Sequence, residues 1–398
     1  MEEANDIDNQ NLINTSNVQV QHEESSTLPL NFHPLAKIKK EALLPSQKII
    51  EHTTIKFLSF NLSLSKPYSD IRLKEFMKLL PKYDIICLQG ISSTFTNQQI
   101  DLIQEATRNS FFFSVTSEQP SSFSSYTSEY GLIILSRFPI EKYAYIPFKN
   151  TCHQEKMIQK GFLYAKVNIK GNSLHIINTS FQSTEYSDKE KEIAGLSNDF
   201  YFSRKDSMNN VIAFILEGIF NNKLEYKKGD SVYLVGNMNF DRNGYRNVKT
   251  ENANFDVFTK EYNEFLTLEP KILIKDIFEK DSKPTYGEYD EDTKRYENVL
   301  TFEPFKKSNM ILDYAFEVHY KSADSLIEKE NSNVFIVKKN SLIVDDFPIN
   351  ISPLSQLSDH SGLSFELEYK ESGNLIPIEE ELKENFEEIP NELRKIIN

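Results

Sequence analysis

Short apolar runs alternate along residues 54–369 with stretches in which apolar residues recur every three or four positions. The short runs predict buried strands, and the longer spacing predicts amphipathic helices. The predicted strands span 55–60, 85–88, 111–115, 131–136, 162–167, 174–178, 232–235, 311–318 and 362–367. The predicted helices span 72–80, 99–107 and 208–220. Because strands outnumber helices but are interspersed with them, the pattern predicts an α/β (α+β) fold of two packed β-sheets with helices outside.

Three segments depart from this pattern. Residues 1–48 are rich in Asn, Gln, Glu and Ser, and such a segment cannot bury enough apolar surface to offset the entropy of ordering. We expect this N-terminal arm to be disordered alone or held by a partner. Residues 243–310 are polar and irregular and are expected to be loop-rich. Residues 371–398 are an acidic tail, which leaves 49–370 as the predicted domain.

The acidic tail also carries a helical pattern. Apolar residues recur at three- to four-residue spacing at Leu382, Phe386, Ile389, Leu393 and Ile397. This pattern predicts a C-terminal helix that either packs on its own domain or docks in the groove of a protein partner.

Charge and composition narrow the classes of partner. The net charge is −14, and basic pairs such as Lys39-Lys40 and Lys227-Lys228 are too short to form a basic patch. We therefore predict no nucleic-acid partner. The sequence contains no run of 18 apolar residues, so we predict no membrane span. The two cysteines do not suggest a disulfide framework, and the N-terminus lacks the apolar region of a secretory signal. We therefore expect a reducing, cytoplasmic location.

Polar clusters lie at the ends of six predicted strands. Such a cluster after one strand is usually a turn, but six in order predict a site where strand ends meet. The clusters are Asn61, Gln89-Gly90, Asn178-Thr179-Ser180, Gly236-Asn237-Met238-Asn239, Leu312-Asp313-Tyr314 and Ser358-Asp359-His360.

The order of these clusters resembles the endonuclease/exonuclease/phosphatase superfamily, and within it the sphingomyelinase-type phospholipases C. The resemblance covers about residues 54–369, and its most specific stretches are 130–140, 160–167 and 357–363. It implies a four-layer sandwich, with two mixed β-sheets flanked by helices. It also implies a phosphodiester-cleaving site with a Mg²⁺ or Ca²⁺ ion, which prefers carboxylate and other oxygen ligands and polarises the phosphoryl group.

Matching the family's motifs to this chain implies that three of its reactive groups are substituted. Gly90 stands at the metal-binding glutamate of the Leu-Gln-Glu motif. Ser180 stands at the histidine of the Thr-His motif, and Asn237 at the aspartate of the Gly-Asp-x-Asn motif. The matching residues that remain are Asn61, Asn239, Asp313, Asp359 and His360.

These substitutions predict a vestigial site. Loss of an acid–base group costs about 10²–10⁴ in rate, and loss of a charge-stabilising donor about 10²–10³. We therefore expect turnover near background, no functional catalytic residue and no bound metal, with the remaining residues holding strand ends together. Asp241 and Glu129 are candidate compensating carboxylates, although nothing in their spacing places them in the site.

Three functions remain open from the sequence. The first is a pseudoenzyme that serves as a structural or interaction subunit, with protein partners on the N-terminal arm and C-terminal helix; a cytoskeletal or ciliary assembly is one hypothesis for its location. The second is an active Mg²⁺-dependent, sphingomyelinase-type phosphodiesterase with relocated ligands. The third is a module that binds a phosphate or lipid headgroup without cleaving it.

Overall fold

The computed structural model describes residues 39–40, 54–91, 101–104, 113–120, 125–184, 198–242, 256–281, 283–286, 300, 310–321 and 334–369. Its helices are α1 (Ser69–Met77), α2 (Asn198–Ala213), which continues as a π-helix (Phe214–Phe220), and α3 (Asp256–Thr267). Residues 101–104, within the predicted helix 99–107, are also helical. Short 3₁₀ turns span Leu80–Lys82, His153–Met157 and Lys339–Ser341. The strands are β1 (Lys39–Lys40), β2 (Thr54–Asn61), β3 (Ile85–Gln89), β4 (Phe113–Thr116), β5 (Ser128–Glu129), β6 (Ile133–Ser136), β7 (Ile140–Pro147), β8 (Ile158–Gln159), β9 (Gly161–Ile169), β10 (Asn172–Ser180), β11 (Ser231–Asn237), β12 (Ile272–Asp276), β13 (Asp313–Tyr320), β14 (Phe335–Val337), β15 (Ile343–Asp345), β16 (Pro348–Ile351), β17 (Leu354–Gln356) and β18 (Gly362–Tyr369).

Two seven-stranded sheets are built from the described strands. The first has the order β1-β7-β9-β10-β11-β13-β12. The second has the order β14-β18-β2-β3-β6-β4, with β15 also paired to β18. Both sheets are mixed, because β10 pairs with β11 and β2 with β3 in parallel, while their other named pairs are antiparallel. The predicted fold of two mixed sheets with helices is confirmed.

Aromatic side chains fill the space between the sheets. Phe57 and Phe365 of the second sheet stack with ring centroids 4.7 Å apart, and Tyr233 of the first sheet packs 6.4 Å from Phe57. Burial of such rings is the dominant source of stability in a core of this kind. The sandwich therefore holds its two sheets at fixed separation, and with them the strand ends that carry the site.

Helices cover the outer faces of both sheets. Leu73 and Phe76 of α1 belong to a buried cluster with Leu58 and Leu88 of the second sheet. On the first sheet, Phe214 of the π-helix packs 5.1 Å from Phe162. These contacts complete the four layers that the family resemblance implies.

The prediction that 243–310 is loop-rich was wrong for part of that segment. Helix α3 and strand β12 both lie within it. The strand is short, but it alternates in burial, with Ile272 and Ile274 buried and Leu273 exposed. The polar residues around these two elements obscured their periodicity. Helix α2 also begins ten residues before the predicted 208, and α1 spans Ser69–Met77 rather than 72–80.

The chain termini lie almost entirely outside the described residues. Within the predicted arm, Lys39–Lys40 is described, and it pairs antiparallel with β7, Lys39 opposite Tyr143. The predicted C-terminal helix lies outside the described part. Among the residues that the structure describes, no helix is long and apolar enough to cross a membrane.

Candidate active site

Strand pairing brings the predicted site residues to one edge of each sheet. In the first sheet Ser180 lies opposite Asn237, and Asn237 lies opposite Asp313, so three strand ends meet in one row. In the second sheet Asn61 pairs with Gln89, directly before Gly90. Because β10 runs parallel to β11 and β2 parallel to β3, their carboxyl ends fall together.

A hydrogen bond between Asp313 and His360 joins the two sheets at this edge. The Nδ1 atom of His360 lies 2.8 Å from Oδ2 of Asp313, and both side chains are buried. Burial lowers the pKa of His360, but the carboxylates of Asp313 and Asp359 outweigh it, and the net direction is upward. Two of the predicted residues are therefore bonded to each other.

Asp359 has a partner that sequence reasoning missed. The ammonium group of Lys66 donates to the Asp359 carboxylate and, at 2.7 Å, to the carbonyl oxygen of Leu300. Burial raises the pKa of Asp359, but Lys66 and His360 outweigh it, so the pKa is lowered. The pair is well shielded, with the side chains of Asp359 and Lys66 only 1% and 12% exposed. A fixed positive charge therefore lies in the site.

The loop that carries Lys66 is held by the buried guanidinium of Arg72. This guanidinium donates to the carbonyl oxygens of Leu62, Ser63, Lys66, Pro67 and Leu357. Burial lowers the pKa of Arg72 to about 10, and Asp359 opposes that shift, so the group stays charged at neutral pH. Because five acceptors fix one planar donor group, the loop 62–67 has a defined place over the strand ends.

Gly90 leaves no room for a side chain. Its φ is +68°, a left-handed conformation that L-residues adopt at a cost. A Cβ atom there would lie 2.5 Å from Oδ1 of Asn61 and 2.9 Å from the amide nitrogen of Ser63. The loop closes on this point, since the amide of Leu64 donates to the Gly90 carbonyl at 2.7 Å. At the position matched to the family's glutamate, backbone and the Asn61 side chain thus leave no room for a Cβ atom.

Asn237, the last residue of β11, and Asn239, two residues later, bond to the local backbone. Oδ1 of Asn237 accepts from the amide of Asn239 at 3.0 Å, and Nδ2 of Asn239 donates to the Phe181 carbonyl at 2.8 Å. The first bond is an Asx-type turn, which Asn and Asp both form. It explains why the turn survives with an amide at position 237.

Tyr130 was also missed as a site residue, although it begins one of the family-like stretches. Its hydroxyl lies beside Ser180 and Asn61: burial raises the pKa of Tyr130, and these two neighbours lower it. The ammonium of Lys160 lies 4.5 Å from the centre of the Tyr130 ring and 2.7 Å from the Glu155 carboxylate. In the part of the chain that the structure describes, Ser180 Oγ and Asn61 Nδ2 are buried without a hydrogen-bond partner.

The two candidate compensating carboxylates have partners elsewhere. Asp241 accepts from the amide of Ile311 at 3.3 Å, and Glu129 accepts from the amide of Gly131 at 2.6 Å. Within the described ranges, no group of three His, Cys, Asp or Glu side chains is placed to hold a metal ion. Spacing alone could not decide this, because the partners of both residues depend on the fold.

The side chains at the strand ends are poorly suited to act as ligands of a hard divalent cation. Such an ion prefers several carboxylate oxygens. Gly90 and Asn237 supply none, and the carboxylates of Asp313 and Asp359 already face a histidine and a lysine. Little negative charge is left to offset the cost of dehydrating a divalent ion.

Comparisons with known proteins identify the family and agree with the fold. The profile of the Endonuclease/Exonuclease/phosphatase family matches residues 58–257. A sphingomyelinase of Dictyostelium discoideum is 25% identical over an alignment of 334 residues, and the match covers 72% of each chain. Sphingomyelinase C 1 of Leptospira interrogans is 30% identical over 131 residues, which are 33% of this chain and 18% of that one.

Solved structures show the same fold. The beta toxin of Staphylococcus aureus matches with a TM-score of 0.52 at 16% identity, over 78% of this chain and 99% of the toxin. Sphingomyelinase C of Streptomyces griseocarneus matches with a TM-score of 0.50 at 17% identity, over 79% and 99% of the two chains. With the matched profile and the strand-end constellation, these similarities confirm the resemblance: the chain belongs to the endonuclease/exonuclease/phosphatase family and contains a sphingomyelinase-like, phosphodiesterase-family domain.

Proposed function

We propose that this domain does not hydrolyse phosphodiesters and instead serves as a structural or interaction subunit of a larger assembly. The observation that carries the proposal is the closure of the site around Gly90. Backbone and the Asn61 side chain occupy the space that the Cβ atom of any larger residue would need. Because the loop has closed on position 90, a carboxylate side chain could be restored there only if the loop also moved.

The expected loss of rate is large. Ser180 cannot carry the positive charge of a histidine, and Asn237 cannot act as a base. Each loss costs about 10²–10⁴ in rate, and the losses are not additive when the groups act as a unit. Loss of a divalent ion that would polarise the phosphoryl group removes several kcal/mol more of transition-state stabilisation, so turnover should fall far below that of an intact enzyme.

Hydrogen bonds at and beside the retained residues support a structural role. The Asp313–His360 bond links the two sheets. The hydroxyl of Ser358 donates to the Asn61 carbonyl at 2.7 Å, which ties the entry to β18 to the end of β2. Oγ1 of Thr285 accepts from the amides of Leu312 and Asp313 at 2.9 and 3.0 Å. Removal of these groups would free the strand ends.

The partners that we propose are proteins bound through residues 1–48 and 371–398, with a cytoskeletal or ciliary assembly as the setting. The composition of the two segments supports this: one is polar and unable to form its own core, and the other is acidic with a helical apolar spacing. A structure of the full chain in its native complex tests this part, since it shows which surfaces the two segments contact.

A turnover assay tests the loss of activity. The full chain is incubated with sphingomyelin vesicles and Mg²⁺, and released phosphocholine is measured against the His360→Ala variant and against EDTA. We expect the three rates to agree, because no metal-dependent chemistry takes place. Mg²⁺-dependent release that disappears in His360→Ala would show that the domain is a working phosphodiesterase.

A second candidate is binding of a phosphate group without cleavage. Two buried donors, Asn61 Nδ2 and Ser180 Oγ, form no hydrogen bond of good geometry among the described residues, and the Tyr130 hydroxyl interacts with both side chains. Buried donors that are poorly paired cost free energy, so a ligand that accepts from them gains affinity. Phosphocholine and inorganic phosphate should each raise the thermal midpoint, and Ser180→Ala should remove the effect. No shift with either probe rules this candidate out.

A further inference from the structure

We infer that the Lys66 ammonium is an internal replacement for an external cation at Asp359, so that the site is a cation site permanently filled by the chain itself. The inference rests on the proposed loss of the divalent ion and explains how the fold tolerates that loss. A carboxylate retained at this buried place needs a positive partner, and the loop 62–67 supplies one.

The surroundings of the ammonium have the chemistry of a cation site. The Asp359 carboxylate and the Leu300 carbonyl oxygen accept from it, and its nitrogen lies 5.9 Å from the centre of the Tyr286 ring. Anionic oxygen, carbonyl oxygen and an aromatic face are each groups that attract a cation. The Tyr286 ring also packs 4.7 Å from the His360 ring, so the same residues form one wall of the site.

The placement of Lys66 is built into the fold. Arg72 donates to the Lys66 carbonyl at 3.0 Å and to the Ser63 carbonyl at 2.8 Å, which fixes the backbone on each side of the loop. The same guanidinium reaches the Leu357 carbonyl at 3.1 Å, two residues before Asp359. One buried arginine therefore sets the positions of both members of the Lys66–Asp359 pair.

This arrangement predicts a rescue experiment. Lys66→Ala keeps the Cβ atom and removes a group with the composition of n-propylammonium, leaving the buried Asp359 carboxylate without its ammonium partner. The thermal midpoint of the full chain should fall by roughly 5–10 °C, because removal of one partner of a buried ion pair is costly. Addition of n-propylammonium chloride should then raise the midpoint of the variant by about 3 °C relative to NaCl at equal ionic strength.

Two controls isolate the site. Lys78→Ala removes a lysine whose pair with Glu75 is on the surface, its side chain 68% exposed, so it should change the midpoint by less than about 2 °C and show no rescue. Lys66→Ala combined with Asp359→Asn removes both charges and should also lose the rescue. The inference is overturned if n-propylammonium raises the thermal midpoint equally in the single variant, in this double variant and in the wild type.

A second double variant covers the case in which Lys66→Ala does not fold. Lys66→Met combined with Asp359→Asn retains the approximate volume of both side chains and should fold, because neither charge remains unpaired. A double variant that stays unfolded refutes the replacement of a cation by Lys66. All of these experiments measure stability and therefore test the inference alone. Detection of hydrolysis would instead contradict the proposed function, so the two failures can be distinguished.

Discussion

Gly90 offers the sharpest test of the closed site, because the chain contains a matched control. Gly90 has φ +68° and Gly171 has φ +88°, so alanine is strained at both positions. A Cβ atom on Gly171 meets nothing within 4 Å, whereas one on Gly90 lies 2.5 Å from Asn61 Oδ1 and 2.9 Å from the Ser63 amide nitrogen. Both alanine variants therefore carry the backbone strain, but only Gly90→Ala adds a steric clash.

The magnitudes follow from these two terms. Left-handed strain at a non-glycine residue costs about 1–2 kcal/mol, and this is the whole expected loss for Gly171→Ala. Forcing an extra carbon into a packed site costs a further 1–3 kcal/mol, roughly. Gly90→Ala should therefore lower the free energy of unfolding by about 2–5 kcal/mol.

Urea denaturation of the full-length variants measures both values, with the slope of each transition checked for constancy. Because one of the atoms in contact is a backbone nitrogen, the site cannot relax by rotating a side chain alone. Equal losses for Gly90→Ala and Gly171→Ala would refute the argument that the loop occupies the space at position 90.

Two further predictions concern the buried charges. Arg204 donates to both carboxylate oxygens of Glu261, at 2.6 and 2.8 Å, and both side chains are fully buried. Arg204→Met should therefore lower the free energy of unfolding in urea by about 3–5 kcal/mol. Lys205→Met, at a partly exposed pair, should cost below about 1 kcal/mol, and similar losses for both would contradict the reasoning. Burial lowers the pKa of His175 from 6.5, and Asp230 only partly opposes this. The unfolded chain therefore takes up that proton first as pH falls below about 6.5, and stability decreases. His175→Gln should reduce the drop in urea midpoint between pH 7.5 and 5.5, and an unchanged drop would exclude His175 as a cause.

The parts of the fold that sequence could predict are those with local signals. The strands that end at Asn61, Ser180 and Asn237, and the strand that ends directly before Gly90, are mostly buried, and each leads into a polar cluster. Strand ends of this kind meet once the sheets pair, so the row of site residues followed from the order of the clusters. The bond between Asp313 and His360 adds a contact that neither motif alone reveals.

The parts that sequence could not predict depend on long-range packing. Lys66 and Asp359 are 293 residues apart along the chain, and Lys66 lies in a loop without periodicity. Arg72 looked like an ordinary residue of an amphipathic helix, yet it is fully buried. The left-handed conformation of Gly90 is likewise set by the loop that closes on it, so composition and spacing give no sign of it.

Titration of Mg²⁺ or Mn²⁺ into the full chain by isothermal calorimetry tests the central claim most directly. The closed loop at Gly90, the amide at Asn237 and the lysine on Asp359 predict no stoichiometric binding at millimolar ion, in the wild type or in Asp359→Asn. One ion bound per chain in the wild type, and lost in Asp359→Asn, would contradict the account.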